Sequence, residues 1–149
     1  MGRPPMIKNN DNILLFESLA LRDVREAVGG KVIVVDDCKD SLELISNWLT
    51  KYHKARVEVY TNPFDALRSI IKEEPDFLIL DVEMPRLDGL ELKRLVRAMS
   101  LFEIPTLFVS VNPKHRKRLT KKSFEYFEHK PLSKSRVLKY FEGKDAIAS

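Results

Sequence analysis

Two stretches of the chain decide the fold, KVIVVDD at residues 31–37 and FLILDVEMPRLDG at residues 77–89. Each contains a run of four apolar residues that is followed directly by aspartate. An apolar run of this length, bounded by polar residues, is typical of a strand that is covered on both faces of a parallel sheet. The two stretches therefore predict buried strands with carboxylates at their carboxyl ends.

Strands and helices alternate along the chain from Lys31 onward. The predicted strands are Val32–Val35, Arg56–Tyr60, Phe77–Leu80, Thr106–Val109 and a fifth near Tyr126–His129. Asn62-Pro63 and Asn112-Pro113 each combine an N-cap residue with proline at the first helical position, so each predicts the start of a helix. Right-handed crossovers between parallel strands then give a three-layer α/β sandwich.

The helix after the first strand is predicted to bury one apolar stripe. Leu42, Ile45, Leu49 and Tyr52 recur at helical spacing and form this stripe. Leu44 and Trp48 widen it, and we expect the last helix or the N-terminal segment to cover them. A docking surface for a protein partner is the alternative.

Length and composition indicate one globular domain. The chain has 149 residues, of which 44% are hydrophobic and 32% are charged, within the usual range for single domains. Cys38 is the only cysteine, which excludes an internal disulfide and favours a reducing, cytoplasmic location. Apolar runs of at most five residues fall far short of the roughly 20 that span a bilayer, so we expect no membrane association.

The segment before the first strand, from Asn12 to Val28, predicts an amphipathic helix. Its apolar side is formed by Ile13, Phe16, Ala20, Leu21, Val24, Ala27 and Val28. Two roles for this helix fit the pattern: it docks on the domain, or it binds a partner or a second copy of the chain. The predicted organisation is an N-terminal extension at residues 1–30, a domain at residues 31–143 and a flexible tail at residues 144–149.

Positive charge is concentrated between Asn112 and Tyr140. This stretch holds ten basic residues against Glu125 and Glu128, a net +8 in a chain whose net charge is +4. Such asymmetry favours a partner of opposite charge. Nucleic acid is the less favoured partner, because the stretch contains no motif that reads bases.

Polar side chains follow four of the predicted strands. Asp36 and Asp37 follow the first strand and Asp81 follows the third, and three converging carboxylates suit Mg²⁺. Ser110 ends the fourth strand and Lys130 ends the fifth. A hydroxyl and an ammonium group at the same rim would balance the charge of an incoming phosphoryl group.

These residues together resemble a known family. The set Asp36-Asp37, Asp81 with Met84-Pro85 and Asp88-Gly89, Ser110, and Lys130-Pro131 resembles the receiver domain of two-component response regulators. The resemblance covers roughly residues 31–143. It implies a doubly wound, flavodoxin-like sheet of five parallel strands in the order 2-1-3-4-5, with helices on both faces.

The resemblance also implies a role for each site residue. Asp81 would be the phosphoacceptor, and Mg²⁺ would bind Asp37, Asp81 and the backbone carbonyl of Glu83 directly, with Asp36 acting through water. Ser110 would be the switch hydroxyl. Lys130 would be the cationic partner of the phosphoryl oxygens, and its bond to Pro131 would be cis.

Departures from the family pattern affect access and switching. Val111 stands where the family usually has Ala or Gly, and we expect its branched side chain to narrow access to Asp81; Glu83 and Asn112 are the other predicted access modulators. The switch aromatic is predicted to be Phe127. Because the polar Glu128 follows it, a strand slip or bulge that presents Tyr126 instead is the alternative.

The resemblance implies a signalling domain rather than a classical enzyme. Such a domain would support its own phosphoryl transfer and dephosphorylation. The expected partners are a sensor histidine kinase or histidine phosphotransfer protein, and a downstream protein on the basic face around residues 113–141. A homodimer is possible. Alternatives are a phosphorylation-independent binding or assembly module, the receiver part of a longer regulator whose output domain is absent, and, with least support, a hydrolase that forms an aspartyl phosphate.

Overall fold

Five parallel strands form the sheet at the centre of the molecule. The structure, a computed structural model, describes residues 30–120 and 124–142. The strands are β1 (Lys31–Val35), β2 (Arg56–Tyr60), β3 (Phe77–Asp81), β4 (Thr106–Ser110) and β5 (Glu125–His129), in the order β2-β1-β3-β4-β5. They are connected by helices α1 (Lys39–His53), α2 (Pro63–Glu73) and α3 (Gly89–Met99) and by a 3₁₀ helix (Pro113–Arg118), and α4 (Lys134–Leu138) follows β5. The predicted fold class and strand order are confirmed.

Side chains alternate between two apolar layers, one on each face of the sheet. One layer joins the sheet to α1 and α4 and includes Val34, Leu42, Ile45, Ile79, Val109 and Phe141. The other joins it to α2 and α3 and includes Val35, Ile70, Leu80, Leu92, Phe108 and Phe127. Strands β3 and β4 are buried at every position, as expected for central strands of a parallel sheet.

The prediction for α1 is correct for three residues and wrong for the fourth. Leu42, Ile45 and Leu49 are buried, whereas Tyr52 is 46% exposed. Tyr52 lies in the last turn of α1, where its hydroxyl accepts a hydrogen bond from Lys134 Nζ at 3.2 Å and remains at the surface. Leu44 is 47% exposed, so α4 does not cover it, while Trp48 packs on the core partly buried.

Both predicted helix starts are present. Asn62 accepts a hydrogen bond from the Phe64 amide and caps α2. Asn112 accepts one from the Lys114 amide, but the segment that follows is a 3₁₀ helix of six residues rather than an α-helix. Without apolar residues at helical spacing, this basic segment lacks the buried stripe that stabilises a longer α-helix in a protein.

A buried lysine that the sequence did not reveal positions β4. Lys93 of α3 is 1% exposed, and its Nζ donates to the Ile104 carbonyl at 2.5 Å and to Thr106 Oγ1 at 2.8 Å. Thr106 is the first residue of β4 and Ser110 is the last. This contact therefore fixes the strand that carries Ser110 at its other end.

Several predictions lie outside the described residues. These are the helix at residues 12–28, the tail at residues 144–149, and the charges of Lys121 and Lys122. In the part of the chain that is described, no helix has the length and apolar character needed to cross a membrane.

Candidate functional site

Three carboxylates meet at the carboxyl edge of the sheet. Val35 of β1 pairs with Leu80 of β3, so the residues that follow each are neighbours in space. Asp36, Asp37 and Asp81 each offer an oxygen, and these oxygens lie within 4.8 Å of one another. Asp36 and Asp81 are buried and Asp37 is exposed. The sequence prediction that these three residues converge agrees with the geometry.

Lys130, which directly follows β5, extends its side chain into this cluster. Its Nζ lies 2.8 Å from Asp36 Oδ2 and 3.2 Å from Asp81 Oδ1. Its amide donates to the Ser110 carbonyl at 2.8 Å, and the Lys130-Pro131 bond is cis, as expected. Burial alone would lower the pKa of Lys130, but the hydrogen bond that Lys130 donates to Asp36 and the charge of Asp81 outweigh it, so the pKa is raised.

The environment of Asp81 disfavours its negative charge. Burial raises its pKa most strongly and the charge of Asp36 adds to this, while Lys130 opposes both; the result is a pKa of about 7. Two carboxylates this close repel each other unless a cation or a proton lies between them. Oxygen ligands in such a set fit Mg²⁺, which prefers carboxylates and keeps several waters.

A glycine sets the loop that follows Asp81. A β-carbon on Gly89 would lie 2.3 Å from the backbone oxygen of Asp81 and 3.3 Å from the Val82 α-carbon. The Gly89 amide donates to the Val82 carbonyl at 3.0 Å, and Asp88 and Glu91 form a reciprocal capping box at the start of α3. The loop can fold back on the strand end because residue 89 has no side chain.

Ser110 is bonded to Glu83 rather than to Asp81. Its hydroxyl donates to Glu83 Oε1 at 2.5 Å and accepts from the Asn112 amide at 2.9 Å. His115 Nε2 lies 3.2 Å from the same Glu83 oxygen. Neither the Ser110–Glu83 bond nor the contact of His115 with Glu83 was predicted, and no sequence motif links His115 to the strand ends.

The two candidate switch aromatics lie on opposite faces of β5. The strand pairs with β4 residue by residue, with Phe108 opposite Phe127, so β5 contains no slip or bulge. Phe127 is buried in the layer of α2 and α3, and the guanidinium of Arg116 lies 4.8 Å from its ring centroid. Tyr126 packs in the other layer near Phe77 and Tyr140. Phe127 is thus the aromatic that contacts the 3₁₀ helix.

Val111 is 63% exposed and lies beside the site rather than within the acidic cluster. It lines a cavity together with Leu44, Lys130, Pro131 and other residues of α1 and the loop after β5. Access to Asp81 past Val111 remains a prediction.

The basic stretch does not form one uniform positive surface. Lys130 points into the acidic cluster, and Arg118 pairs with Asp88 at 2.9 Å. Glu128, which is 7% exposed, accepts from Arg136 at 2.9 Å and lies 3.2 Å from Lys139 Nζ. Among the described residues, Lys114 and Lys117 are exposed on the 3₁₀ helix. The net charge counted along the sequence therefore overstates the positive charge of this face.

Comparison with known proteins identifies the family. The family model "Response regulator receiver domain" matches residues 32–142. The chain therefore belongs to the response regulator receiver domains, the receiver modules of two-component signalling.

Curated relatives share this region over part of their length. The protein-glutamate methylesterase/protein-glutamine glutaminase of Syntrophotalea carbinolica is 33% identical over 108 residues, which are 69% of this chain and 30% of that protein. Response regulator MprA of Mycobacterium ulcerans is 40% identical over 68 residues, which are 46% of this chain and 29% of that protein. The match thus spans less than a third of each relative.

Solved structures share the fold. The chemotaxis protein CheY4 of Vibrio cholerae has a TM-score of 0.67 at 26% identity, covering 74% of this chain and 93% of that one. The receiver domain of sensor histidine kinase PA1611 from Pseudomonas aeruginosa, solved with a magnesium ion coordinated in its active site cleft, has a TM-score of 0.65 at 21% identity. That match covers 75% of this chain and 97% of that one.

Proposed function

We propose that this receiver domain accepts a phosphoryl group on Asp81 and uses the modification to change its surface for a partner. The observation that carries the proposal is the contact of Lys130 with both Asp36 and Asp81 in a cluster of three carboxylates. An acceptor oxygen, a site for a divalent cation and a fixed ammonium group are thus held together. These are the groups that phosphoryl transfer to a carboxylate requires.

In the proposed reaction a carboxylate oxygen of Asp81 attacks the phosphorus of a phosphohistidine. The new O–P bond forms as the N–P bond breaks, and the electron pair of that bond stays on the imidazole, which takes up a proton. The Nζ of Lys130 lies 3.2 Å from Asp81 Oδ1. From this position, Lys130 balances the negative charge of the phosphoryl oxygens. Asp81 must be ionised to attack, and a cation in the cluster favours the ionised form.

The ligands proposed for Mg²⁺ are the carboxylates of Asp37 and Asp81 and the backbone carbonyl of Glu83, with Asp36 contributing through a bound water. When bound, the metal supplies positive charge that stabilises the transferring phosphoryl group. Asp37 is exposed, whereas Asp36 and Asp81 are buried. The side of the cluster at Asp37 is therefore open to water and to a phosphoryl donor.

The proposed partners are a sensor histidine kinase or a histidine phosphotransfer protein as donor, in the cytoplasm, and a downstream protein as target. For the target we propose the face formed by the 3₁₀ helix, β5 and α4. A groove of about 600 Å³ lies on this face, and its lining includes three cations (Arg116, Lys117, Lys139) and three aromatic residues (Tyr126, Phe127, Tyr140). Two carboxylates also line it, but Glu125 is paired with Arg97, and Glu128 is paired with Arg136 and Lys139. Cationic and aromatic side chains together favour an acidic protein segment.

Ser110 and Phe127 are the proposed switch residues. Ser110 lies at the end of β4 with its hydroxyl 2.5 Å from Glu83, and the new phosphoryl oxygens would compete with Glu83 for that hydroxyl. Phe127 contacts Arg116 of the 3₁₀ helix, which supports a link between the site and the proposed target face.

The experiment that tests the function is intact mass spectrometry after incubation with phosphoramidate and Mg²⁺. We expect one phosphoryl adduct on the wild-type chain, and no adduct when Mg²⁺ is chelated or when Asp81 is replaced in Asp81→Ala. Asp40→Ala, which removes an exposed carboxylate in the first turn of α1, is the matched control and should keep the adduct. An unmodified wild-type chain would favour the phosphorylation-independent alternative.

A further inference from the structure

A chain of polar contacts, three of them hydrogen bonds, runs from the end of β4 to the start of α3 through the 3₁₀ helix. Its members are Ser110, Glu83, His115, Arg118 and Asp88. The distances along it are 2.5 Å from Ser110 Oγ to Glu83 Oε1, 3.2 Å from that oxygen to His115 Nε2, 3.1 Å from His115 Nδ1 to Arg118, and 2.9 Å from Arg118 to Asp88 Oδ2.

The donors and acceptors along this chain are fixed by chemistry. A guanidinium group has donors only, so Arg118 must donate to His115 Nδ1 and to Asp88. Nδ1 therefore carries no proton, and in the neutral ring the proton is on Nε2, which lies 3.2 Å from Glu83 Oε1. His115 can make both contacts as a neutral imidazole. The arrangement consequently needs no charge on His115.

The members of the chain come from four parts of the fold. Glu83 follows β3, Ser110 ends β4, and His115 and Arg118 belong to the 3₁₀ helix, while Asp88 caps α3. Glu83, His115, Arg118 and Asp88 also line one cavity of about 320 Å³ together with Val82, Met84 and Pro85. Glu83 is the only member of the chain that touches both Ser110 and the 3₁₀ helix among the contacts described above.

We propose that His115 is a positioning residue that couples the phosphoacceptor site to the 3₁₀ helix. In the unmodified protein it holds Glu83 on the Ser110 hydroxyl. When the phosphoryl group draws Ser110 away from Glu83, the first link of the chain breaks, and the Glu83 side chain that His115 contacts loses its anchor on β4. Since the coupling begins at a phosphorylated Asp81, it rests on the proposed function.

The consequence for a partner concerns two arginines of the same helix, Arg116 and Arg118. Arg116 covers the ring of Phe127, and Arg118 is held by Asp88. Loosening of the helix changes how both guanidinium groups are presented on the proposed target face. The coupling thus gives an acidic partner a way to distinguish the two states of Asp81.

The test uses NMR on the full chain labelled with ¹⁵N, with Mg²⁺ and beryllofluoride as a mimic of the phosphoryl group. In the wild-type chain, we expect the amide signals of Lys114, Arg116 and Lys117 to shift on addition of the mimic. In His115→Ala these shifts should be largely lost, although the Ser110 amide still responds. Lys114→Ala, a change at an exposed position of the same helix, is the matched control and should leave the shifts of the remaining helix amides unchanged.

A conservative variant separates positioning from folding. The side chain of glutamine offers an N–H donor for Glu83 and an oxygen acceptor for Arg118, so His115→Gln should restore the shifts that His115→Ala loses. Equal helix shifts in His115→Ala and in the wild-type chain would overturn the coupling while the mimic still binds. A wild-type chain that does not bind the mimic would instead refute the proposed function, and the coupling with it.

The resting chain of contacts can be tested without any mimic. At about pH 8, the ¹⁵N signals of the His115 ring should give the pattern of the tautomer protonated at Nε2, and Glu83→Ala should change that pattern. A ring protonated at Nδ1, or one that does not respond to Glu83→Ala, would overturn the proposal.

Discussion

The ammonium group of Lys130 lies 3.2 Å from Asp81 Oδ1, although the two residues are 49 positions apart in the sequence. The contact forms because β3 and β5 both end at the same edge of the sheet, one on each side of β4. It balances only part of the negative charge, since Asp36 lies in the same cluster and also contacts Lys130. Burial of Asp81, together with the charge of Asp36, therefore keeps its pKa near 7.

The metal-free protein should lose stability as the pH rises. The folded-state pKa of Asp81 is about 7, above the ordinary value of 3.8, so its contribution to stability is full below pH 3.8 and is lost as the pH rises through 7. The loss amounts to at most about 4 kcal/mol. Urea unfolding with a chelator at pH 5 to 8 measures it, and Asp81→Asn should flatten the slope. An unchanged slope in Asp81→Asn would contradict the assignment.

Removal of Asp37 should weaken Mg²⁺ binding without weakening the fold. Asp37 is exposed, and it is a proposed direct ligand, so Asp37→Asn should lower Mg²⁺ affinity by about tenfold or more. Asp40→Asn changes a nearby exposed carboxylate and should leave affinity unaltered. Isothermal titration calorimetry compares the variants, and equal affinities for Asp37→Asn and the wild-type chain would remove Asp37 from the ligand set.

A methyl group at residue 89 should destabilise the site loop. The β-carbon of Gly89→Ala would lie 2.3 Å from the Asp81 carbonyl oxygen, and the backbone contact leaves no flexible side chain to move aside. We expect a loss of about 1–3 kcal/mol in the free energy of unfolding. Arg94→Ala, at an exposed position of the same helix, should change it by about 0.5 kcal/mol or less. Chemical denaturation curves that coincide for Gly89→Ala and the wild-type chain would contradict the close approach of residue 89 to the Asp81 backbone.

Glu128 should stabilise the end of β5 in its ionised form. Burial alone would raise its pKa, but hydrogen bonds from Tyr140 and Arg136 and the proximity of Lys139 outweigh it, and the pKa is lowered. Its contribution to stability is therefore present at neutral pH and is lost as the pH falls through that lowered value. Glu128→Ala leaves the Tyr140 hydroxyl unpaired and should cost about 1–3 kcal/mol at pH 7.

The matched variant for this prediction is Glu128→Gln, which keeps an oxygen acceptor but has no charge. Thermal unfolding monitored by circular dichroism should place it between Glu128→Ala and the wild-type chain. A Glu128→Ala variant as stable as the wild-type chain would show that contacts other than those of Glu128 hold the end of β5.

The strands and the acidic cluster could be predicted because they depend on local pattern and on topology. Phe77–Leu80 is apolar throughout, so its burial follows from composition, and parallel strands bring Asp36 and Asp81 to one edge. The face of Phe127 likewise follows once β5 pairs regularly with β4.

Other contacts depend on how long side chains bend after the backbone is in place. Lys93 occurs in a helix as an ordinary charged residue, yet its chain is long enough to reach the Ile104 carbonyl. The contacts of Glu83 with Ser110 and with His115 depend on side-chain conformations that no spacing in the sequence encodes. Tyr52 matches the apolar period, but its position in the last turn leaves it exposed.

The central claim is that Asp81 is the residue that carries the phosphoryl group. Reduction of the phosphorylated chain with borohydride converts an aspartyl phosphate into homoserine, which peptide mass spectrometry locates by residue. After incubation with phosphoramidate and Mg²⁺, we expect homoserine at residue 81 and unmodified aspartates at residues 36 and 37. Homoserine at either of those residues, with Asp81 intact, would contradict the account.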